Sequence, residues 1–316
     1  MMMFKHLRSL TLLIVLGGVL ALAPSGVTAR SPESSDAAAD HVLNLPLILR
    51  NFQFGPASFA GKVVDATTNQ PINNAEVCLT TSSLPADICQ ITEEDGTYLF
   101  EGVLVGISHS LEAKHQNYFP VTKFAAAATG VTKTVNFALP PSILDGDYLV
   151  LLTWSSTKFW SPGVENDLDA YMWTPFLSPG NEVIHQANRG SKTLFPYVYL
   201  DIDVRQGSGP ETITIVQSSP GIYSYGVDNF NAGKLGVPPI SGTGANVQLY
   251  NVGGLVKEYN VPEGGNKNFW YVFDLNADTG ELTDVNCLTD YPTLPARPVC
   301  PEPLQASTPA IQKPNK

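Results

Sequence analysis

Acidic residues in the second half of the chain are spaced in a way that could hold a metal ion. Asp167 and Asp169 lie in E-N-D-L-D-A-Y, Asp201 and Asp203 lie in Y-L-D-I-D-V-R, and Glu211 lies in G-P-E-T-I-T-I. Residues two positions apart in a strand point to the same face, so the two members of each aspartate pair are expected to share a face. Carboxylate oxygens are the ligands that Ca²⁺ prefers, and calcium is the one cofactor that the sequence suggests. The alternative is that these acids line solvated strand faces, because the D-x-D-x-D-G loop with a trailing glutamate is absent.

Aromatic residues near the same segment suggest a second chemistry. Trp160 lies in F-W-S-P-G, and Tyr171 and Trp173 lie in D-A-Y-M-W. Rings exposed at the rim of a β-sandwich can stack on sugar faces, and the Pro-Gly that follows Trp160 places that residue in a loop. These three residues are predicted to form a glycan-binding surface. The alternative is that they are core residues, as we expect for Trp154 in L-T-W.

Catalytic motifs are missing from the chain. Beyond the first 29 residues there are only four histidines, and none lies in a nucleophile motif. The patterns G-x-S-x-G and H-E-x-x-H and a Walker loop are also absent. General acid–base chemistry needs titratable groups that can be brought together, so we expect that the protein is not an enzyme.

The N-terminal segment is typical of a secretory signal peptide. Lys5 and Arg8 precede the apolar run from Leu10 to Leu22, and small residues follow at positions 27–29. We therefore predict a signal peptide at 1–29 and no transmembrane anchor in the mature chain. Localisation is expected to be secreted, extracellular or in the cell envelope. Residues 30–57 are predicted to be a disordered lead-in followed by a short apolar segment.

The cysteines and the net charge are consistent with an extracellular location. Cys78 and Cys89 are close in sequence, as are Cys287 and Cys300. Four cysteines allow three pairings, of which we favour the two local ones, and disulfides are stable in extracellular compartments. The net charge of -11, without a basic cluster, disfavours a nucleic acid as partner.

The arrangement of strands and turns predicts an all-β protein with two consecutive β-sandwich domains. Residues 58–140 contain G-K-V-V-D-A-T-T-N-Q-P-I-N-N-A-E-V-C-L, then T-E-E-D-G-T-Y-L-F-E-G-V, then H-Q-N-Y-F-P-V. This order of motifs resembles the carboxypeptidase regulatory-like domain. The resemblance implies a prealbumin-like β-sandwich that accompanies peptidases and has no catalytic residues of its own.

Residues 141–286 are predicted to be the second β-sandwich. The segments Y-L-V-L-L-T-W, E-N-D-L-D-A-Y-M-W and G-P-E-T-I-T-I resemble a bacterial β-sandwich family of unknown function. The apolar run Y-L-V-L-L-T-W predicts a central strand, because it is apolar on both faces. Residues 287–316 are predicted to be a disulfide-clipped, Pro-rich C-terminal tail, which is disordered after Cys300.

Together these features predict a non-catalytic binding or structural protein of a bacterial surface or matrix. One alternative is a carbohydrate-binding protein that uses the exposed aromatics of the second domain. A third possibility is an accessory subunit of an envelope peptidase. The expected partners are a cell-surface polysaccharide or another envelope protein.

Overall fold

A computed structural model describes residues 57–81, 87–155, 165–176, 183–234 and 236–301. Within these ranges the regular structure is β-strand, apart from one turn of 3-10 helix at Ile240–Gly242. The predicted all-β fold is confirmed. The predicted signal peptide at 1–29, most of the lead-in and the end of the tail lie outside the described residues. Among the residues that are described, none forms a helix long and apolar enough to cross a membrane.

The first sandwich is built from eight strands. They are β1 Ser58–Asp65, β2 Glu76–Thr80, β3 Ile88–Ile91, β4 Thr97–Glu101, β5 Ser108–Lys114, β6 Val121–Ala126, β7 Thr132–Thr134 and β8 Phe137–Leu139. One sheet has the order β4-β1-β7 with β8 also paired to β1, and the facing sheet has the order β3-β2-β5-β6. Because side chains alternate between the two faces of a strand, Phe59 and Val63 of β1 both lie in the core.

Gly61 allows β1 to lie close to the segment that precedes β8. A Cβ atom at this position would lie 1.9 Å from the carbonyl oxygen of Val135. The buried Tyr98 hydroxyl donates to that same carbonyl. Any larger residue at position 61 would therefore separate β1 from the segment before β8.

The second sandwich is built from ten strands. They are β9 Tyr148–Thr153, β10 Leu168–Trp173, β11 Val183–Ile184, β12 Val198–Ile202, β13 Glu211–Ile215, β14 Ile222–Asn229, β15 Asn246–Asn251, β16 Gly254–Asn260, β17 Phe269–Asn276 and β18 Glu281–Thr289. One sheet has the order β11-β10-β14-β17-β18, and the other has the order β12-β13-β9-β15-β16. The segment Y-L-V-L-L-T-W thus forms a central strand, as predicted.

The C-terminal segment packs against the sandwich for longer than the sequence indicated. Strand β18 continues to Thr289, past the predicted domain end at 286. The Trp173 indole Nε1 donates to the carbonyls of Pro295 and Ala296 at 3.1 and 3.0 Å. The segment from 287 to 300 is thus held by strand pairing, by these bonds and by the predicted disulfide, and from 302 onward the residues predicted to be disordered lie outside the described residues. Proline-rich composition removes ladder donors, but its carbonyls still accept bonds from a buried indole.

Both disulfides join cysteines that are close in sequence. Cys78 and Cys89 are directly opposite each other on β2 and β3, and Cys287 of β18 is bonded to Cys300. The favoured local pairing is confirmed. Glu76 lies near the first bridge, but the two sulfurs there are bonded to each other and do not offer metal ligands.

A small apolar cluster, here called the joint, connects the two sandwiches. Its buried members are Ala66 and Ala138 from the first sandwich and Leu149, Leu151 and Tyr250 from the second. The Thr212 hydroxyl also donates to the carbonyl of Ala66. All these residues belong to one compact unit that starts at Arg50.

Candidate functional site

Three of the predicted metal ligands meet in the second sandwich. Asp169 lies in β10, Asp203 directly follows β12, and Glu211 begins β13. One carboxylate oxygen from each of these residues lies within 4.8 Å of the other two. We call these three residues the carboxylate cluster. Because β10 and β13 belong to different sheets, the cluster spans the sandwich.

Backbone amides fix the deepest member of the cluster. Glu211 is fully buried, and its carboxylate accepts bonds from the amides of Ala170 at 2.8 Å and Val204 at 3.2 Å. The Ala170 amide belongs to β10, and the Val204 amide belongs to the segment that follows β12. The Glu211 side chain is therefore held in place before any ligand arrives.

Several buried oxygens around the cluster have no hydrogen-bond partner among the described residues. They are the Asp169 Oδ2, the Asp203 Oδ1 and the Asp167 Oδ1, together with the amide oxygens of Asn166 and Asn229. Asp169 is only 3% exposed and Asp167 only 7% exposed. A buried acceptor without a donor costs free energy, so this group of oxygens is suited to a bound cation.

Burial and mutual repulsion act on the acids of this region. Burial, and then the neighbouring Asp167, raises the pKa of Asp169 to about 8. Burial and Asp203 raise the pKa of Asp167 to about 6. Burial also raises the pKa of Glu211 well above its ordinary value. Simultaneous ionisation of these carboxylates is therefore unfavourable unless a cation binds between them.

Basic residues near the cluster compensate it only partly. Arg205 contacts Asp203 Oδ2 at 3.1 Å, but its side chain is 75% exposed. Lys234 donates to the amide oxygen of Asn231. Neither cation enters the group of unpartnered oxygens. These two basic side chains therefore offset the charge of the ionised carboxylates only in part.

Asp201 was predicted to join the site and does not. Its carboxylate forms an ion pair with Lys192 and accepts a bond from the Thr214 hydroxyl at 2.6 Å. The register between β12 and β13 shifts between Leu200 and Ile202. A bulge of this kind breaks the two-residue alternation, so Asp201 and Asp203 do not share a site as their spacing suggested.

The predicted glycan platform is not formed by Tyr171 and Trp173. These side chains are 2% and 1% exposed, and they pack with Phe269 on the outer face of their sheet. The C-terminal segment covers them, with the Tyr291 hydroxyl donating to the Tyr171 hydroxyl at 3.0 Å. Trp160, the third residue of that prediction, lies outside the described residues.

Asp228 belongs to the same acidic region and was missed in the sequence. It is directly opposite Asp169 in the pairing of β14 with β10. Burial raises its pKa to about 7, and Asp167 acts in the same direction. Only the registration of two strands 60 residues apart brings these aspartates together. No local spacing in the sequence signals it.

Comparisons with known proteins assign no family to this chain. No family model matches, and no curated protein matches. A homologue of the telluride resistance protein TerD from Streptomyces coelicolor A3(2) is similar in structure, with 14% identity and a TM-score of 0.36, over 48% of this chain and 94% of that one.

Two further solved structures have lower scores. A putative carbohydrate binding protein from Bacteroides uniformis has 12% identity and a TM-score of 0.24, over 65% of this chain and 95% of that one. A DUF3823 family protein from Parabacteroides merdae has 13% identity and a TM-score of 0.22, over 55% and 90%. All of these TM-scores are below 0.5, so the likeness assigns no function to this chain.

Proposed function

We propose that the protein is a secreted, non-catalytic β-sandwich protein whose second domain binds Ca²⁺ in the carboxylate cluster. The observation that supports this most directly is Asp169. Its Oδ2 is buried without a partner among the described residues, and the residue lies beside the carboxylate oxygens of Asp203 and Glu211. In this proposal the protein works as a binding or structural module at the cell surface or in the matrix.

The spacing of the oxygens suits calcium. Ca²⁺ binds oxygen at 2.3–2.6 Å, so two of its ligands can be at most about 5 Å apart. The 4.8 Å limit within which the three carboxylates lie satisfies that condition. The Asp167 carboxylate, which interacts with Asp203, and water molecules would supply further ligands toward the six to eight that calcium takes.

A bound cation would have a structural role. It would join β10 of one sheet to β13 of the other, and it would remove the repulsion between the buried acids. An all-oxygen site of this kind supports a non-catalytic interpretation, since the cluster of described residues includes no histidine or cysteine.

The remaining proposals concern the whole chain. Residues 58–140 are proposed to be a carboxypeptidase regulatory-like domain, on the order of their motifs and the β-sandwich they form. The two disulfides and the segment at 1–29 support secretion.

The test is a calcium titration of the purified chain after exhaustive treatment with a chelating resin. We expect stoichiometric binding by calorimetry and a rise of several degrees in the unfolding temperature, because a ligand that binds only the folded state stabilises it. Mg²⁺ is expected to bind more weakly, because it requires a tighter octahedral arrangement.

Two variants make this test specific. Asp169→Asn is expected to abolish the calcium response. Asp201→Asn is the matched control, because it removes a buried carboxylate that is already paired with Lys192. The proposal fails if the wild-type chain shows no calcium response, or if both variants respond equally.

A further inference from the structure

A cleft lies where β6 of the first sandwich faces β15 and β16 of the second. Its volume is about 460 Å³. Two adjoining cavities of about 360 and 170 Å³ share Lys123 and Thr153 with it. Cavities of this size are typical of sites that bind small molecules or segments of a polymer.

One wall of the cleft presents an ordered row of polar side chains. Asn246 and Gln248 of β15 are directly opposite Asn260 and Glu258 of β16, and we call these four residues the polar row. The amide of Asn246 donates to Glu258 Oε1 at 2.7 Å and to Asn260 Oδ1 at 3.0 Å. The Gln248 amide donates to the same Glu258 oxygen at 3.2 Å. These bonds fix the orientation of the side chains and leave other donors and acceptors facing the cleft.

The opposite wall contributes an aromatic ring. Phe124 of β6 is 76% exposed, although most phenylalanines are largely buried in folded proteins. It lines both the main cleft and the adjoining cavity of about 360 Å³. An exposed ring beside fixed amides can stack on an apolar face while the amides bond to polar groups at its edge.

The three cavities together have more basic than acidic lining residues, although the chain as a whole is acidic. Lys62, Lys123 and Lys133 line the three cavities, whereas Glu258 is the one acid among the lining residues. The net charge of the whole protein is -11. None of the ion pairs among the described residues includes these lysines.

Lys123 is the lysine common to all three cavities. Its ammonium lies 5.8 Å from the centroid of the Phe137 ring. Burial lowers the pKa of this ammonium, and the Glu258 carboxylate acts in the opposite direction. A partly desolvated cation without a carboxylate partner in the described residues interacts strongly with an anionic group that enters the cleft.

We propose that this cleft binds an acidic polysaccharide, a sugar chain whose rings carry carboxylate groups. Vicinal hydroxyls both donate and accept, which matches the amides of the polar row. The apolar face of a sugar ring matches Phe124, and a uronate carboxylate matches Lys123. This site is separate from the carboxylate cluster, because none of the residues that line the three cavities belongs to that cluster.

Nucleic acid fits the same cleft less well. Single strands are bound by grooves with several stacking rings and a long track of cations. The lining residues here include one strongly exposed ring, and the amide and hydroxyl side chains outnumber the lysines. These side chains suit the dense hydroxyl groups of a sugar better than a phosphate backbone.

The test is calorimetric titration of the full chain with a galacturonate trisaccharide and with its methyl ester. The two probes share a backbone and differ only in charge. We expect binding of the acid, weaker binding of the ester, and a loss of affinity for the acid as salt is raised, because salt screens the lysines.

Variants of the cleft residues complete the test. Phe124→Leu keeps an apolar side chain but removes the ring, and we expect it to weaken binding about tenfold. Phe124→Trp keeps a ring at this position, and we expect it to retain binding. Lys123→Met is expected to weaken binding of the acid and to leave the ester unchanged. Leu144→Ala is the surface control, because Leu144 is also 76% exposed and does not line the cleft.

Four outcomes would overturn the proposal. The first is that neither probe binds, and the second is that the acid and the ester bind equally. The third is that Phe124→Leu and Lys123→Met leave the affinity for the acid unchanged. The fourth is that single-stranded DNA or a poly-glutamate peptide displaces the trisaccharide at a concentration lower than that of the trisaccharide itself. The substitutions are at exposed or cleft-lining positions, and an unchanged unfolding temperature for each variant shows that the fold is kept.

Discussion

Asp169 and Asp201 are both buried aspartates of the second sandwich, and their surroundings are opposite. Asp201 has Lys192 and the Thr214 hydroxyl as partners. Asp169 is directly opposite Asp228 of β14 and lies beside Asp203 and Glu211. One of its carboxylate oxygens has no partner among the described residues. The comparison shows that burial of an acid alone does not indicate a binding site. The indication comes from the grouping of several acids and from an oxygen of Asp169 that has no partner among the described residues.

The largest difference is expected in the stability of the two variants without metal. Asp201→Asn removes one partner of an ion pair and is expected to lower the free energy of unfolding by about 2 kcal/mol. Asp169→Asn removes repulsion between neighbouring acids and is expected to raise it, by up to about 1 kcal/mol. Urea unfolding in the presence of a chelator measures both. Destabilisation of the metal-free protein by Asp169→Asn would contradict our interpretation of the cluster.

The pH dependence of stability sharpens the same comparison. The folded-state pKa values of about 8 for Asp169 and about 6 for Asp167 lie above the ordinary aspartate value of 3.8. The folded state therefore binds more protons than the unfolded state between about pH 4 and 8. The stability of the metal-free protein should fall as the pH rises through this window.

Calcium should remove much of that fall, because the bound cation stabilises the ionised carboxylates. We expect the free energy of unfolding of the metal-free protein to decrease by about 2 kcal/mol per pH unit near pH 6, from Asp169 and Asp167 together. Thermal unfolding from pH 5 to 8, with and without calcium, measures it. Asp169→Asn should flatten the metal-free curve more than Asp201→Asn, because burial also raises the pKa of Asp201 but Lys192 and Thr214 oppose that rise. A metal-free stability that rises with pH would be incompatible with these raised pKa values.

The smallest expected effect concerns the cleft. The loop between β12 and β13 starts with Asp203 and leads into Glu211, the first residue of β13. Its residues Ser208 and Gly209 line the adjoining cavity of about 170 Å³. A cation in the cluster would restrain both ends of this loop. At a fixed calcium concentration, Asp169→Asn should therefore weaken binding of the trisaccharide about threefold relative to Asp201→Asn. Equal affinities of the two variants would show that hydrogen bonds alone position the loop.

Much of the architecture is predictable because alternation of apolar residues is a local signal. Phe59 and Val63 of β1 and the run that forms β9 follow directly from the sequence. The close spacing of Asp167 and Asp169 is also visible locally in the sequence. The exclusion of Asp201 is not predictable, because a bulge within one strand changes which residues share a face.

Features that depend on distant segments were missed for a different reason. Asp228 joins the acidic region through the pairing of β10 with β14. Tyr171 and Trp173 are buried because a segment more than 115 residues later covers them. The cleft combines β6 with β15 and β16. A single sequence does not specify such pairings, since each depends on how separate strands are registered.

The joint has a consequence for how the chain can be divided. The prolines at 140 and 141 suggest a boundary at which either sandwich could be excised. Leu149, Leu151 and Tyr250 are each no more than 2% exposed, partly because Ala66 and Ala138 of the first sandwich cover them. Cutting the chain at those prolines would uncover this apolar patch on the second sandwich, and such patches promote aggregation. The two sandwiches are separate in sequence, but they should be expressed and engineered together as a single unit.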